Sequence, residues 1–456
     1  MERENLKSRL GFILLSAGCA IGIGNVWRFP YVVGNNGGGL FVLFYIVFLA
    51  VTAVPVLTME LAIGRASKRS IMCAYNKLEP KGSKWHIHGG VALGGSYILM
   101  MFYTTVAGWM LYYFYKFIVG DFEGLNTEAV TGEFGKMLDQ PGTMTFWMIL
   151  VVVVSFLICS LGLQNGVEKI TKVMMIALLG LIIVLAGHAL TMEGGIEGLK
   201  FYLVPNFDTV KEKGLLSVIT AAMNQSFFTL SVGMGCMTIF GSYINKDRTL
   251  LGESITIAGL DTFVAFMSGL IIFPSCFAFG VQPDSGPSLI FITLPNVFIQ
   301  MPFGRVWGAL FFLFMSFAAL STVITVFESI LSCWMDKWNV SRKKVCIINC
   351  IAMIILSMPC VLGFNILSGV QPLGEGSTIL DLEDFIVSNI LLPVGSIIMT
   401  IFCTSKYGWG FDKYFAEANT GKGIKLQKWM RIYMKWILPV LIAVLIVQGI
   451  ITVFAK

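Results

Sequence analysis

The chain has 456 residues, of which 56% are apolar and only 13% are charged, and its net charge is +6. Soluble domains carry roughly 25% charged residues, so this composition excludes an ordinary soluble globular protein. The basic excess indicates lysine and arginine at membrane edges rather than a nucleic-acid surface, and the ten cysteines lack the spacing of a metal site or a disulfide framework.

Apolar runs of about 20 residues, the length that crosses a bilayer, take up nearly the whole sequence. They predict an all-α polytopic membrane protein with a single transmembrane domain over 1–456. The eleven predicted spans are, in chain order, roughly 11–36, 40–66, 89–118, 144–162, 167–191, 215–242, 251–280, 304–336, 343–363, 384–404 and 430–454.

Lysines and arginines concentrate in every second connection between the spans. Arg3, Lys7 and Arg9 precede span 1, and the segments after spans 2, 6, 8 and 10 are also basic. The connections after spans 3 and 9 are acidic or mixed, with residues such as Asp121 and Glu375. Because basic connections stay on the cytoplasmic side, the N-terminus is predicted to be cytoplasmic.

Glycine-containing strings interrupt span 1 at 18–25 (GCAIGIGN) and span 6 at 229–236 (TLSVGMGC). Each glycine disfavours a helix by about 1 kcal/mol relative to alanine, so both helices are predicted to unwind there. Unwound backbone at membrane depth is tolerated where it is packed in protein or lines a cavity. Matching interruptions in two halves point to a transporter binding site between inverted repeats, here about 11–191 and 215–404, followed by an extra helix at about 430–454.

The strings 9–12 (RLGF), 22–31 (GIGNVWRFPY) and 36–39 (NGGG) resemble the first-helix signature of the neurotransmitter:sodium symporters. These are sodium-coupled transporters of amino acids, monoamines and related solutes. The match extends along spans 1 to 10 and is similar to the shorter, eleven-helix bacterial branch. The resemblance implies a leucine-transporter-like fold, with a 5+5 inverted repeat and broken helices 1 and 6, in a bacterial inner membrane.

The resemblance also implies two sodium sites made of oxygen ligands, which suit this hard cation. The first would use the Ala20 carbonyl and the side chains of Asn25, Thr229 and Asp261. The second would use the carbonyls of Gly18, Ile21 and Ala318 and the hydroxyls of Ser321 and Thr322. Membrane-helix hydroxyls often bond only the preceding turn, which is the alternative for the last two. Asp261 would supply the negative charge that chloride provides in other members, so chloride is not expected.

A substrate carboxylate would bind the amides of Ile23 and Gly24 and the Tyr103 hydroxyl, at the positive start of a half-helix. Monoamine carriers of the family have an aspartate at the position of Gly22, so a substrate here should bring its own carboxylate. Met234 and Val326 replace larger or more rigid residues and imply room for a bulky side chain. The full predicted substrate set is Ala20, Gly22, Ile23, Gly24, Leu99, Tyr103, Phe228, Thr229, Ser231, Met234 and Val326.

Two charge pairs are predicted to act as gates, although juxtamembrane charge of no special role is the alternative, most readily for Arg3. Outside, Arg28 would meet Asp384, with Gln225 supporting Arg28 and Phe228 as a lid. Inside, Arg3 would meet Asp336, with Tyr243 nearby. Leu6 departs from the family's usual tryptophan, and Glu60 is expected to bond the unwound backbone of span 6.

The predicted function is therefore a sodium-coupled symporter of bulky hydrophobic and aromatic L-amino acids, which works by alternating access around a midplane site. Its expected partners are the amino-acid substrate and the lipid bilayer, and no nucleic acid. A carrier of small neutral amino acids is the nearer alternative. A membrane-embedded enzyme is disfavoured because the three histidines do not cluster with the acids, and a channel because two gates flank one site.

Overall fold

The computed structural model of the protein describes Leu6 and residues 8–205, 207–280 and 288–454. Within these ranges the regular structure is helical, and β pairing is limited to two isolated bridges. The principal helices are α1 (Arg9–Ala20), α2 (Gly24–Asn35), α3 (Gly39–Ser67), α4 (Ile87–Val119), α5 (Pro141–Ser160), α6 (Leu163–Leu190), α7 (Leu215–Thr229), α8 (Cys236–Tyr243), α9 (Leu250–Ala278), α10 (Gly304–Trp338), α11 (Arg342–Leu362), α12 (Ile379–Thr404) and α13 (Met430–Gly449).

Nine of the described helices are long and apolar enough to cross a membrane singly, and the bent pair α1–α2 forms a tenth such span. The pair α7–α8 occupies the sixth predicted span, with residues 230–235 between its two parts. The prediction of an all-α polytopic membrane protein is thus confirmed. Shorter helices cover the ends of the bundle: Ile71–Leu78, Thr127–Leu138, Gly195–Leu203, Asp208–Lys213, Leu289–Gln300 and Phe411–Ala418.

The start of α12 lies earlier than the sequence predicts. Thr378 and Asp381 form a reciprocal capping box, in which each side chain bonds the other residue's backbone, so the helix already begins at Ile379. Because this first turn is polar, an apolar pattern does not reveal it. Asp384 therefore lies inside the helix, and the helical geometry sets its position relative to Ser388 in the next turn.

Six π-helical turns occur among the described residues, and all but Leu163–Glu168 end two residues before a proline. A proline lacks the amide hydrogen and its ring clashes with the carbonyl of the preceding turn, so the chain widens locally. The five that precede a proline are Gly24–Arg28 before Pro30, Leu49–Ala53 before Pro55, Leu289–Thr293 before Pro295, Ile386–Leu391 before Pro393 and Tyr433–Ile437 before Pro439. Two of them, in α2 and α12, border the candidate site.

Glycines allow α3 and α8 to pack backbone against backbone. A Cβ atom added at Gly64 would lie 1.9 Å from the Thr238 carbonyl oxygen, and one at Gly241 would lie 2.4 Å from that of Leu61. Small residues permit this close approach in membrane helices. The long helices α4 and α10 form the most extensive helix pair, and together with α3 they surround the breaks in α1–α2 and α7–α8.

Candidate functional site

The first helix break brings bare backbone against α4 and α10. Helix α1 ends at Ala20, α2 begins at Gly24, and the two axes differ by 58°. A Cβ atom added at Gly22 would lie 2.0 Å from the Tyr103 hydroxyl oxygen and 2.6 Å from Thr322 Oγ1. No side chain fits there, so an aspartate at this position is sterically excluded in this conformation.

The second break is held by a buried carboxylate. Between α7 and α8 the backbone φ angles are positive at Ser231 (49°), Gly233 (104°) and Gly235 (77°). The Glu60 carboxylate of α3 accepts hydrogen bonds from the amide of Gly233 and, at 3.2 Å, from that of Met237. The structure therefore confirms the prediction that Glu60 bonds the unwound backbone of span 6.

One cluster of oxygen atoms joins the two breaks to α9. Asn25 Nδ2 donates to Thr229 Oγ1 (3.0 Å), to Asp261 Oδ1 (2.8 Å) and to the Asp261 carbonyl (3.1 Å). Thr229 Oγ1 donates to the other Asp261 carboxylate oxygen at 2.8 Å. The buried Tyr45 hydroxyl of α3 faces Thr229 and Asp261 and was missed by the sequence reasoning, because an isolated tyrosine in an apolar run carries no signal. Thr229 and Asp261 can offer a cation several oxygens that include one carboxylate, whereas Asn25 turns its Nδ2 toward them and its Oδ1 accepts the Gly22 amide at 3.1 Å.

A second cluster joins α1 to α10. Thr322 Oγ1 lies within hydrogen-bond distance of the carbonyls of Gly18 (3.2 Å), Ile21 (3.1 Å) and, within its own helix, Ala318 (3.4 Å), and its one hydrogen can be donated to any of the three. The Ser321 hydroxyl lies 2.9 Å from the same Ala318 oxygen. All five predicted ligands of the second site therefore come together in one place. Thr322 reaches across to α1, so it does not bond only its own preceding turn, whereas the Ser321 hydroxyl makes just that bond, to Ala318.

A small cavity lies between these clusters. Its volume is about 10 Å³, and it is lined by Ala20, Gly24, Leu99, Tyr103, Phe228, Ser231, Met234, Thr322, Val387 and Leu392. At its edge the Ile23 amide donates to the Tyr103 hydroxyl at 2.8 Å. The space holds about one water molecule, so a larger ligand requires the surrounding side chains to move.

Seven of the predicted substrate residues line this cavity, and the others take different positions. Gly22 and Ile23 form its edge against Tyr103, and Thr229 belongs to the first oxygen cluster. Val326 is buried in α10 one turn beyond Thr322 and is not among the lining residues. Val387 and Leu392 from α12 were not predicted.

Comparison with known proteins identifies the group to which this architecture belongs. A model of the sodium:neurotransmitter symporter family matches residues 3–129 and 126–456, which together span nearly the whole chain. The chain belongs to the sodium:neurotransmitter symporter family. It is accordingly a sodium-dependent membrane symporter, and its relatives are transporters rather than enzymes.

Individual relatives of this symporter agree with the family assignment. The chain is 34% identical over 399 residues to the sodium-dependent transporter YhdH of Bacillus subtilis, covering 88% of this chain and 87% of that protein. It is 28% identical over 395 residues to the sodium- and chloride-dependent GABA transporter 2 of Mus musculus, covering 75% and 64%. The crystal structure of MhsT in complex with L-phenylalanine matches with a TM-score of 0.88 and 35% identity over 98% of this chain and all of that chain.

At the predicted outer gate of the symporter, the direct pair of Arg28 and Asp384 is not among the ion pairs of the described residues. Instead the Ser388 hydroxyl accepts from Arg28 Nη1 (3.2 Å) and donates to Asp384 Oδ1 (2.7 Å). Ser388 lies one helical turn after Asp384, which places its hydroxyl between the two charges. The Arg28 guanidinium lies over the Phe228 ring, 4.1 Å from its centroid. Gln225 donates to the Gly24 carbonyl (3.1 Å) rather than to Arg28.

Of the predicted inner gate, Arg3 lies outside the described residues. Asp336 accepts the Ser70 amide at 2.6 Å and is 3.5 Å from an Arg69 nitrogen. The Tyr243 hydroxyl donates to Glu328 at 2.9 Å, and the Leu6 amide donates to the Tyr243 carbonyl at 3.4 Å.

The fully buried Glu328 also accepts two hydrogen bonds from Arg342, at 2.6 and 2.9 Å. The sequence reasoning missed this ion pair. An acid inside the long apolar helix α10, followed by an arginine at the start of α11, is the signal that could have found it.

Proposed function

We propose that the protein couples sodium entry to the uptake of bulky hydrophobic and aromatic L-amino acids, by alternating access around the central cavity. The observation that carries this proposal is the pairing of the Ile23 amide with the Tyr103 hydroxyl at the edge of an apolar cavity between two oxygen clusters. A substrate carboxylate would enter this pair, accepting from the Ile23 and Gly24 amides and from Tyr103.

The substrate's side chain would face an apolar wall. Leu99, Phe228, Met234, Val387 and Leu392 surround the far side of the cavity. Met234 is flexible and can rearrange around side chains of different shapes. MhsT, similar over nearly the whole chain, was crystallised with L-phenylalanine, which supports an aromatic substrate for this symporter.

The two oxygen clusters would each bind one sodium ion. Asn25, Thr229 and Asp261, with the Ala20 carbonyl, would form the first site, and the Thr322 cluster would form the second. Asp261 would provide a fixed negative charge at the first site, so transport would proceed without chloride. The ligand atoms would all be oxygens, as a hard cation requires, and Asn25 would take part through its Oδ1 after its amide turns away from Gly22.

The proposed orientation in the membrane rests on the distribution of basic residues between the spans. The N-terminus would lie in the cytoplasm of a bacterial cell, with the chain as one domain in the inner membrane. The repeats at about 11–191 and 215–404 would move against each other, with α13 outside them. The Arg28–Ser388–Asp384 bridge would close the outer side of the cavity.

The small size of the cavity favours a second candidate, a carrier of small neutral amino acids. A space of about 10 Å³ is far below the size of a phenylalanine side chain, and glycine or alanine would need less rearrangement around it. The two candidates differ in whether the apolar wall opens when substrate binds.

A binding screen distinguishes these candidates. Purified protein in sodium buffer is tested with each of the twenty L-amino acids in competition with a labelled hydrophobic amino acid. We expect phenylalanine, tryptophan, tyrosine, leucine and methionine to compete best. Stronger competition by glycine or alanine would favour the small-substrate carrier, and no competition by any amino acid would contradict both.

A further inference from the structure

A second cavity lies where α4 ends and α10 begins. Its volume is about 400 Å³, and pockets of roughly 300–1,000 Å³ are typical of small-molecule sites. Of the described residues, none lines both this cavity and the central one. The oxygen clusters, the proposed substrate site and the predicted gates therefore leave this space without a role.

The buried side of the second cavity is aromatic. Phe117 of α4, Phe122 of the following connection and Phe298 of the helix Leu289–Gln300 all line it, and each is at most 3% exposed. The ring centroid of Phe117 lies 4.6 Å from that of Phe122 and 5.9 Å from that of Phe298. Met301 adds a further buried apolar side chain. Such a lining favours hydrocarbon over water.

The exposed side of the second cavity carries one charge of each sign. Arg305 Nη1 lies 3.4 Å from Glu123 Oε1, and the same guanidinium donates to the Ile118 carbonyl. Gly120 leaves room for this pair, because a Cβ atom there would lie 3.1 Å from the Glu123 carboxylate and 3.2 Å from Arg305 Nη1. Exposed ion pairs contribute little to stability. A ligand that carries both charges can therefore replace this pair.

Exposed apolar side chains adjoin the charged pair. Ile118 and Val119 of α4 and Val306 of α10 are about half exposed, and Phe303 at the edge of the cavity is 82% exposed. Phe303 has a φ angle of 58°, a left-handed conformation that is unfavourable for a bulky side chain. Exposed apolar side chains at the ends of membrane-spanning helices are those that the bilayer covers. The second cavity therefore opens beside the lipid.

We propose that the second cavity binds a phospholipid with a zwitterionic head group of the phosphatidylethanolamine type. An acyl chain packs on Phe117, Phe122 and Phe298. The phosphate accepts hydrogen bonds from Arg305, whose planar fork suits phosphate, and the ammonium group donates to Glu123. A free amino acid also carries both charges, but the apolar side chains beside the cavity favour a ligand that enters from the bilayer. This site does not depend on the proposed function.

The test titrates the purified full chain, stripped of lipid in detergent, with three phospholipids of equal acyl chains and counts bound lipid by native mass spectrometry. Phosphatidylglycerol has the phosphate but no ammonium group, and the ammonium group of phosphatidylcholine has no hydrogen to donate. We expect one tightly bound phosphatidylethanolamine per chain. Its affinity should exceed that of either other lipid by roughly 2- to 10-fold, the contribution of one hydrogen bond.

Three variants separate the parts of this site. Arg305→Gln should weaken the binding of both phosphatidylethanolamine and phosphatidylglycerol, whereas Glu123→Gln should weaken only phosphatidylethanolamine and so remove the preference between them. Leu125→Trp, at a lining position, fills the apolar space and should reduce the binding of all three lipids while keeping both charges. Arg431→Gln is the matched control, because Arg431 forms a similarly exposed pair with Asp412, also at 3.4 Å. This control should bind lipid as the wild type does.

Three results would overturn the proposal. The first is phosphatidylethanolamine binding that is the same in the wild type, Arg305→Gln and Leu125→Trp. The second is equal affinity of the wild type for all three phospholipids. The third is binding of labelled L-phenylalanine that Arg305→Gln abolishes and Tyr103→Phe retains, because the occupant would then be a free amino acid. Lipid binding is measured without uptake, so a failure of the proposed transport function would leave a positive result in place.

Discussion

Replacing Tyr103 with phenylalanine removes one oxygen atom from the edge of the central cavity. In the structure that oxygen accepts the Ile23 amide at 2.8 Å, and under the proposed function it donates to the substrate carboxylate. The ring itself remains, so this side chain still lines the cavity and keeps its contact with the Phe102 ring.

The expected loss of affinity can be worked out from these contacts. A hydrogen bond to a charged group contributes about 1.5–3 kcal/mol, which corresponds to a roughly 10- to 150-fold increase in Kd. Without substrate, the Ile23 amide also loses its acceptor, but a cavity of about 10 Å³ admits one water molecule that can replace it. The free protein should therefore lose only about 1 kcal/mol of stability, at the low end for an unpaired buried group.

The assay is equilibrium binding of labelled L-phenylalanine at a saturating, fixed sodium concentration, together with thermal unfolding. Tyr113→Phe is the matched control, because the Tyr113 hydroxyl lies on the same helix, is buried and has no hydrogen-bond partner among the described residues. We expect the control to bind as the wild type does. A Tyr103→Phe variant with unchanged Kd would refute the role of this hydroxyl in carboxylate binding.

Three further substitutions test other parts of the site. Asp261→Asn removes the carboxylate of the first oxygen cluster. Uptake by this variant should fail when gluconate replaces chloride in the buffer and recover partly when chloride is added. Loss of uptake by the wild type in the gluconate buffer would contradict the proposed role of Asp261. Met234→Phe adds bulk to the apolar wall near Gly95, so the strongest competitor should change from tryptophan toward leucine. Each methylene of space lost from the pocket is worth about 1–3 kcal/mol of binding free energy. An unchanged order of competitors would place the side-chain site elsewhere. Arg342→Ala leaves the buried Glu328 carboxylate without its cation, so thermal unfolding should report a free energy of unfolding lower by about 3–5 kcal/mol. Adding Glu328→Gln to this variant should restore part of that stability. Equal losses in the single and double variants would show that the charge pair is not the cause.

The sequence predicts those parts of the site that are formed by short, continuous sequence motifs. Glycines at 18–25 and 229–236 indicate the two breaks because glycine weakens a helix wherever it stands. Asn25 and Thr229 lie within or beside these strings, so their closeness to unwound backbone follows from chain connectivity. The Gly18–Thr322 contact, in contrast, depends on how α1 packs on α10, and only the family resemblance supplied it.

The apolar contribution of α12 to the cavity could not be predicted from composition, because Val387 and Leu392 resemble residues of any apolar span. Val387 and Leu392 reach the cavity, and Ser388 separates Arg28 from Asp384, because a π-helical turn precedes Pro393 and shifts the register of the helix. The proline was visible in the sequence, but the direction of the resulting shift depends on tertiary packing. The absence of Val326 from the cavity lining likewise depends on how closely the helices approach one another.

Sodium dependence of substrate binding tests the central claim most directly. Labelled L-phenylalanine is titrated into purified protein in sodium buffer and in potassium buffer of equal ionic strength, with all other conditions fixed. The account predicts saturable binding in sodium and a large loss of affinity in potassium, because Asn25, Thr229 and the substrate carboxylate would share one sodium ion. Equal affinity in the two buffers would contradict the coupling of the oxygen clusters to the substrate site.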